Sequence, residues 1–363
     1  ASAIIRELVF VQLDPIQNVT RAHHHILWSR NQNYREPVLD KLLGQDRSIF
    51  EHFTHDASVL PMEFYPMWRR QFDRLGAQVR RSAWHRSGLK GADMDAIKAR
   101  IANEGPLSTR DFDTKIVGKK EMWARPPHKK ALDLMWYSGD LATAYRKNFI
   151  KYYDLADRVI PASHMQTHHS DGAQINWLCQ QALGRMQFGT LGDIQRFWAA
   201  TDAAEVKEWA ATADDFMMPV EIEAADGSWS QAFAPHDIAA RLDAAIMPAP
   251  RMRIINPFDP AVRDRTRLER LFGFTYTNEM FVPVAKRRWG YYVYPLMEGA
   301  RFVGRTEIKA DRKTGVMTVT NLWAEASVKW TDARAEKLEA ELARFARLAG
   351  LEQIEWACAR TPA

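Results

Sequence analysis

Two polar side chains, Gln12 and Asp14, close an apolar run near the start of the chain, Leu8-Val9-Phe10-Val11-Gln12-Leu13-Asp14-Pro15. The run reads as a short strand over 8–11 that stops at Asp14-Pro15, because a residue before proline is pushed out of the helical region. On an extended backbone, residues i and i+2 share a face. An amide and a carboxylate side by side can hold one water between them, the amide fixing it and the carboxylate taking its proton. Each residue also has a plainer role open to it. An Asp before Pro is commonly a turn former, and a Gln in an apolar strand can occupy an edge that faces water. A helix follows, carrying His23, His24, His25 and Trp28. Successive helical side chains point about 100° apart, so the three histidines cannot ligate one metal, and no Cys or carboxylate set accompanies them. Neither a metal nor a cofactor is expected. One or two of the histidines are expected to contact a phosphate or base, and the rest to pack.

With 363 residues the chain can bury a sizeable core and form two or three domains. Its net charge is +5 and its pI about 9.1. That is too mildly basic to name nucleic acid by composition, so local clusters must carry that argument. Two lone cysteines, Cys179 and Cys358, give neither a zinc spacing nor a disulfide framework, and a reducing cytoplasm is the expected compartment. No apolar stretch of about 18 residues exists to span a membrane. The apolar run at 4–11 is broken by Arg6 and Glu7, which argues against a secretory signal. No carboxylate cluster supports a metal-dependent nuclease.

The pattern along the chain gives an α+β fold: tandem winged-helix (helix-turn-helix) units followed by a small antiparallel β-barrel domain. The expected domains are a first winged-helix unit at 1–90, a second at 91–165, a third at 166–247, and the barrel with a terminal helix at 251–363. Helices are expected at 37–44, 64–81 and 93–104, then from Arg110, at 129–136 and at 141–146, with wing strands at 149–153 and 158–161. The third unit is the clearest. Helices at 173–186, 191–200 and 204–212 precede strands at 217–223 and 228–233 joined by Asp226-Gly227. After Pro248-Ala249-Pro250, period-two alternation places strands at 252–255, 281–284, 291–294, 301–309 and 316–323, with a hairpin tip at 311–315. A helix over 331–348 and a last strand over 351–357 follow.

Basic residues cluster twice in the last domain. Lys286, Arg287 and Arg288 precede Trp289, Tyr291 and Tyr292, and cations interleaved with aromatics suit phosphate contact plus base stacking. Arg312 and Lys313, beside Lys309, decorate the hairpin tip, which could enter a minor groove. A charged hairpin also keeps an exposed edge soluble. Arg69, Arg70, Arg80 and Arg81 give one helix a basic face, either solvated or facing DNA.

Five segments in collinear order carry a resemblance: the stretch at 8–30 with Gln12-Leu13-Asp14 and RAHHHILWSR, HDASVLP at 55–61, EGPLSTRDF at 104–112, LFGFTYTNEMFVPVAKRRWGYYVYPL at 271–296, and GRTEIKADRKTGVMTV at 304–319. Together they resemble the AlkZ/YcaQ-type winged-helix DNA glycosylases across nearly the whole chain. The resemblance implies a monofunctional glycosylase that excises N7-alkylated purines and unhooks interstrand crosslinks. It places the catalytic element on Gln12 and Asp14, and it adds His24, Trp28 and His55 as residues near the pocket. It implies double-stranded DNA with alkylated or crosslinked purines as the partner of a bacterial, monomeric enzyme. It also implies further helical segments before Gln12, where eleven residues stand, so the expectation is either a short form of the family or a first unit whose beginning is missing. An N7-alkylated guanine is already cationic and leaves without a general acid. The enzyme must then place a water below the sugar carbon and set negative charge beside the developing oxocarbenium ion. Asp14 can serve as base and electrostatic stabiliser, and Gln12 can aim the water. No lysine or amine nucleophile stands at this element, so no lyase step is expected. The alternative is a non-catalytic winged-helix DNA-binding protein, such as a transcription regulator, in which Gln12 and Asp14 only shape a turn.

Overall fold

The computed structural model describes residues 1–83, 88–89, 91–113 and 125–362. It comprises two compact units. The first contains Ala1–Val11, Glu36–Gln181 and Trp198–Trp209, and the second Gln12–Arg35, Ala182–Phe197 and Ala210–Ala363.

The first unit opens with a helix, Ser2–Leu8, where a strand was expected to begin at Leu8. Ala, Ile, Arg, Glu and Leu tolerate a helix well, and Ile5 buries completely on its inner side. Val9 turns the chain out of the helix at φ 63°. Only Val11–Gln12 remains as strand β1. Strands β2 (Ile49–Phe53) and β3 (Ala57–Pro61) form an antiparallel hairpin, and the sheet order is β1–β3–β2. Sequence patterning did not indicate β2, because the polar Glu51 and His52 interrupt it; both are buried. The helix expected over 64–81 is two elements, a 3-10 helix Met62–Trp68 containing Pro66 and an α-helix Arg69–Arg81. Its basic face is partly spoken for. Arg70 donates to Asp171, Glu205 and the Ala200 carbonyl at 2.7, 2.5 and 2.8 Å, and Arg69 to the Met165 carbonyl at 2.8 Å.

Helix Gly91–Glu104 ends at Gly105, whose φ of 88° favours glycine. Strand β4 (Leu107–Ser108) follows, and most of the helix expected from Arg110 lies outside the described residues. After helix Pro127–Tyr137 come β5 (Leu141–Lys147) and β6 (Ile150–Leu155), with sheet order β4–β6–β5. Residues 141–146 are therefore strand, not helix. Thr143 and Tyr145 favour the pleat, and burial of Leu141 and Thr143 alternates with more exposed neighbours. Residues 158–161 are no strand either, since Ala156–Val159 is a helical turn. Ile97, Ile101, Leu132, Met135, Trp136, Leu141 and Tyr153 form one core cluster of this unit.

Helices Asp171–Met186, Leu191–Trp198 and Ala203–Ala210 precede β7 (Met217–Glu223) and β8 (Trp229–Pro235), the element order expected for this stretch. The hairpin β7–β8 turns at Gly227, φ 81°. In the second unit, β9 (Met252–Ile254), β10 (Val293–Glu298), β11 (Arg301–Asp311), β12 (Val316–Ala324) and β13 (Gln353–Trp356) make one sheet in the order β13–β12–β11–β10–β9. The expected antiparallel barrel is thus a curled half-barrel, open rather than closed, and β13 runs parallel to β12. The three-residue β9 ends the ladder on one side, and helix Asp332–Ala349 packs against it. That helix is capped by the Thr331 hydroxyl and stopped by Gly350 at φ 68°. Residues 281–284 are not strand but part of a loop with a 3-10 turn at Val284–Lys286.

Gly304 pairs with Leu296 beside a register shift in the β10–β11 ladder. A Cβ there would lie 2.3 Å from the Trp323 carbonyl oxygen of the neighbouring strand. Gly304→Ala is expected to destabilise the protein by about 1–3 kcal/mol in urea titration, as overpacking against backbone does.

Candidate active site and nucleic-acid interface

All the candidate site residues except His55 belong to the second unit. Gln12 ends β1, and Leu13 and Asp14 leave the strand for a turn at Pro15. Gln12 and Asp14 are 7% and 6% exposed, so neither is an ordinary surface residue. The Ile16 N–H donates to Asp14 Oδ1 at 2.8 Å, which is the turn-forming bond an Asp before Pro makes, and it fixes the plane of the carboxylate. The Gln12 side chain makes no hydrogen bond among the described residues, and its amide atoms are absent from the buried, unsatisfied polar atoms, so they touch solvent. The amide therefore has open hydrogen-bonding capacity two positions along the chain from a carboxylate that accepts the Ile16 N–H.

The segment after Asp14 is tied to the half-barrel sheet. Asn18 Nδ2 donates to the Tyr294 hydroxyl at 3.1 Å and to the Ile308 carbonyl at 2.7 Å. Arg30, closing helix Ala22–Arg30, forms a two-pronged ion pair with Asp259 at 2.5 and 2.8 Å. Asp259 also caps helix Pro260–Arg263 through the Ala261 N–H. Burial would push the Asp259 carboxyl up, but Arg30 outweighs it and holds it below the usual carboxylate range. Asn256 Nδ2 bridges His25 Nδ1 at 3.4 Å and the Tyr292 hydroxyl at 3.3 Å. Tyr292 lies in the field of Asp14. Burial first, then Tyr294 and Asp14, raise its phenol well above its ordinary value. Asn18, Asn256 and Tyr294 were not singled out as site residues from sequence, and Tyr292 was read only as an aromatic for base stacking. Their signal was there, in two asparagines outside the regular elements and in tyrosines spaced i, i+2 at the start of β10.

The three histidines are 3%, 5% and 0% exposed, as buried as Gln12 and Asp14. His24 Nδ1 shares a 2.8 Å hydrogen bond with the Tyr34 hydroxyl. His25 stacks on Phe345 at 4.2 Å, and burial lowers its pKa to about 4, leaving it neutral. Trp28, 2% exposed, packs on the same Phe345 ring and serves the core. His55 belongs to the first unit, where its ring lies 6.2 Å from Phe10.

The loop bearing Lys286, Arg287 and Arg288 is shaped by two carboxylates. Glu279 accepts the N–H groups of Arg288, Trp289 and Gly290 at 3.0, 2.7 and 3.1 Å. Glu307 accepts that of Tyr291 at 3.1 Å. Gly290, φ 151°, passes so close that a Cβ would stand 2.7 Å from Glu307 Oε1. The loop presents Lys286 and Arg288 outward, while Arg287 is half-buried, donating to the Val282 carbonyl at 2.8 Å. Phe281 and Val284 are 87% and 76% exposed, an apolar tip that the strand expected here did not foresee. Of the aromatics, Tyr291 is 40% exposed but Tyr292 only 1%, so Tyr292 cannot stack on a base. At the other cluster, Arg312 and Lys313 are both exposed, and the Arg312 guanidinium also donates to the carbonyls of Val19 and Ala349. Arg312 thus pins the hairpin rather than standing free at its tip.

Among the described residues no group of three or more His, Cys, Asp or Glu could hold a metal ion, and no helix is long and apolar enough to cross a membrane. The fold is similar to that of the Streptomyces sahachiroi DNA glycosylase AlkZ, with a TM-score of 0.65 over 98% of this chain and 92% of that one, at 17% sequence identity. Residues 5–348 match the family described as DNA glycosylase AlkZ-like, so the chain belongs to that family of DNA glycosylases.

Proposed function

We propose that this DNA glycosylase is monofunctional and hydrolyses the N-glycosidic bond of N7-alkylated purines, including those joined in interstrand crosslinks, with Gln12 holding the attacking water and Asp14 taking its proton. The observation that supports this best is the open Gln12 amide two residues from a carboxylate whose orientation the Ile16 N–H fixes. A cationic base needs no acid to leave, and in this reading Gln12 and Asp14 supply what remains necessary: a hold on the water and a negative charge. The element order of three helices and a two-stranded hairpin at 171–235 supports a winged-helix unit for binding DNA. The direct test is incubation with duplex DNA carrying one N7-methylguanine, measuring free base released and alkali-labile sites. Release of the base with strands intact until alkali is expected. A transcription regulator would release none.

The loop at 279–292 supports a DNA-facing role through exposed Lys286 and Arg288 beside the apolar tip of Phe281 and Val284. Replacing Lys286 and Arg288 by Gln is expected to lower the slope of log K against log salt by about 0.9 for each phosphate no longer neutralised. Fluorescence anisotropy across a salt series checks this.

A further inference from the structure

The first unit holds a cavity of about 620 Å³ bounded, among the described residues, by its own side chains. That size is typical of small-molecule sites, which run from roughly 300 to 1,000 Å³. Its aromatic boundary includes Phe53, Trp136, Tyr137 and Tyr153. The cations deepest in it are already neutralised. Arg146 donates twice to buried Glu51 at 2.7 Å, and the Lys151 ammonium stands 3.0 Å from the same carboxylate and 3.2 Å from the centre of the Trp136 ring. Arg125 pairs with Asp133 at 2.7 Å, and Asp133 accepts the Tyr153 hydroxyl at 3.2 Å.

Two groups in the lining are not used up. The half-buried Lys129 ammonium has no ion-pair partner among the described residues. Asp56 accepts the Ala57 N–H at 2.8 Å through one oxygen, and its other oxygen has no hydrogen bond among the described residues. A hydrocarbon ligand would leave both groups without compensation, at a cost. The combination calls instead for a flat ring with hydrogen-bond donors, linked to an anion. A base offers a π-face to aromatic walls, and guanine also offers a paired N–H edge to a carboxylate. A phosphate supplies the anion for an unpaired ammonium.

We propose that this cavity binds a nucleotide, its base against the wall of Phe53 and Tyr137 and its phosphate at Lys129. The ligand is either a free mononucleotide or one nucleotide of a DNA strand. The site draws on no residue of the Gln12–Asp14 element, and the proposal does not depend on glycosylase chemistry.

The test is calorimetric titration of the full chain with dGMP, with 2-deoxyribose 5-phosphate, and with a guanine-containing trinucleotide, repeated on Tyr137→Leu and Lys129→Gln. Stacking should make a probe with a base bind about tenfold tighter than the sugar phosphate alone. Tyr137→Leu should erase that preference. Lys129→Gln should weaken base-containing and base-free probes alike by several-fold, and as a substitution of a half-buried side chain it should keep the unfolding temperature of the wild type. Tyr137-dependent binding of free dGMP supports the proposal and assigns the site to mononucleotides. Tyr137-dependent binding of the trinucleotide alone supports it with a strand as the source. Absence of saturable binding by either probe overturns it, as does binding that both variants leave at the wild-type level.

Discussion

Asp14→Asn is expected to slow excision of N7-methylguanine about 10²- to 10⁴-fold in single-turnover assays, the range that loss of a positioned general base produces. The substitution is nearly isosteric. Its Oδ1 can still accept the Ile16 N–H, so the turn at Pro15 should persist. What disappears is the charge and the basicity. A cationic base already leaves readily, so the loss falls on water activation and on stabilisation of the oxocarbenium ion. Affinity for lesion-bearing duplex should stay within about twofold, because phosphate contacts supply most of it. A matching loss of affinity and rate would instead make Asp14 a structural residue.

Glu51→Ala carries the largest expected effect on stability. The Glu51 side chain is wholly buried beneath two cations, Arg146 and Lys151. Burial would raise its carboxyl, but Arg146 and then Lys151 outweigh it and hold it at about 2, below its ordinary 4.5. Removing Glu51 would leave both buried cations without the carboxylate that pairs them, and breaking such a group typically costs about 3–5 kcal/mol. The pH dependence has a definite sign. A depressed carboxyl binds its proton more weakly in the folded state, so its contribution is complete above about pH 4.5 and fades as the pH falls toward 2. That contribution amounts to roughly 3 kcal/mol. Urea titrations at pH 7 and pH 3 should show the gap between wild type and Glu51→Ala narrowing in acid. A gap that is constant with pH would mean that the ion cluster adds nothing through charge.

Much of the fold was legible where local chemistry decides it. Thr331 and Gly350 delimit the last helix as their side chain and backbone freedom dictate, and Gly227 turns the β7–β8 hairpin. Where long-range packing decides, patterning failed. Leu8 reads as strand but completes a helix, and β2 hides behind Glu51 and His52, polar residues whose partners lie about a hundred positions away or on another element. The site shows the same division. Its polar pair was visible as two side chains out of place in an apolar run. Its support was not, because Asn18 reaches Ile308 across 290 positions and Arg312 reaches Val19 across 293. The burial of the consecutive histidines was not legible either, because the partners that meet their nitrogens, Tyr34 for His24 and Asn256 for His25, lie 10 and 231 positions away.

The central claim is that one amide and one carboxylate act together on one water. A double-mutant cycle tests it most directly, with single-turnover release of N7-methylguanine measured for wild type, Gln12→Ala, Asp14→Asn and the pair. Residues that act as a unit are strongly non-additive. The double variant is expected to be no slower than the worse of the two single variants. Losses that multiply would mean that Gln12 and Asp14 act separately, and release by the double variant at the wild-type rate would remove both from the chemistry.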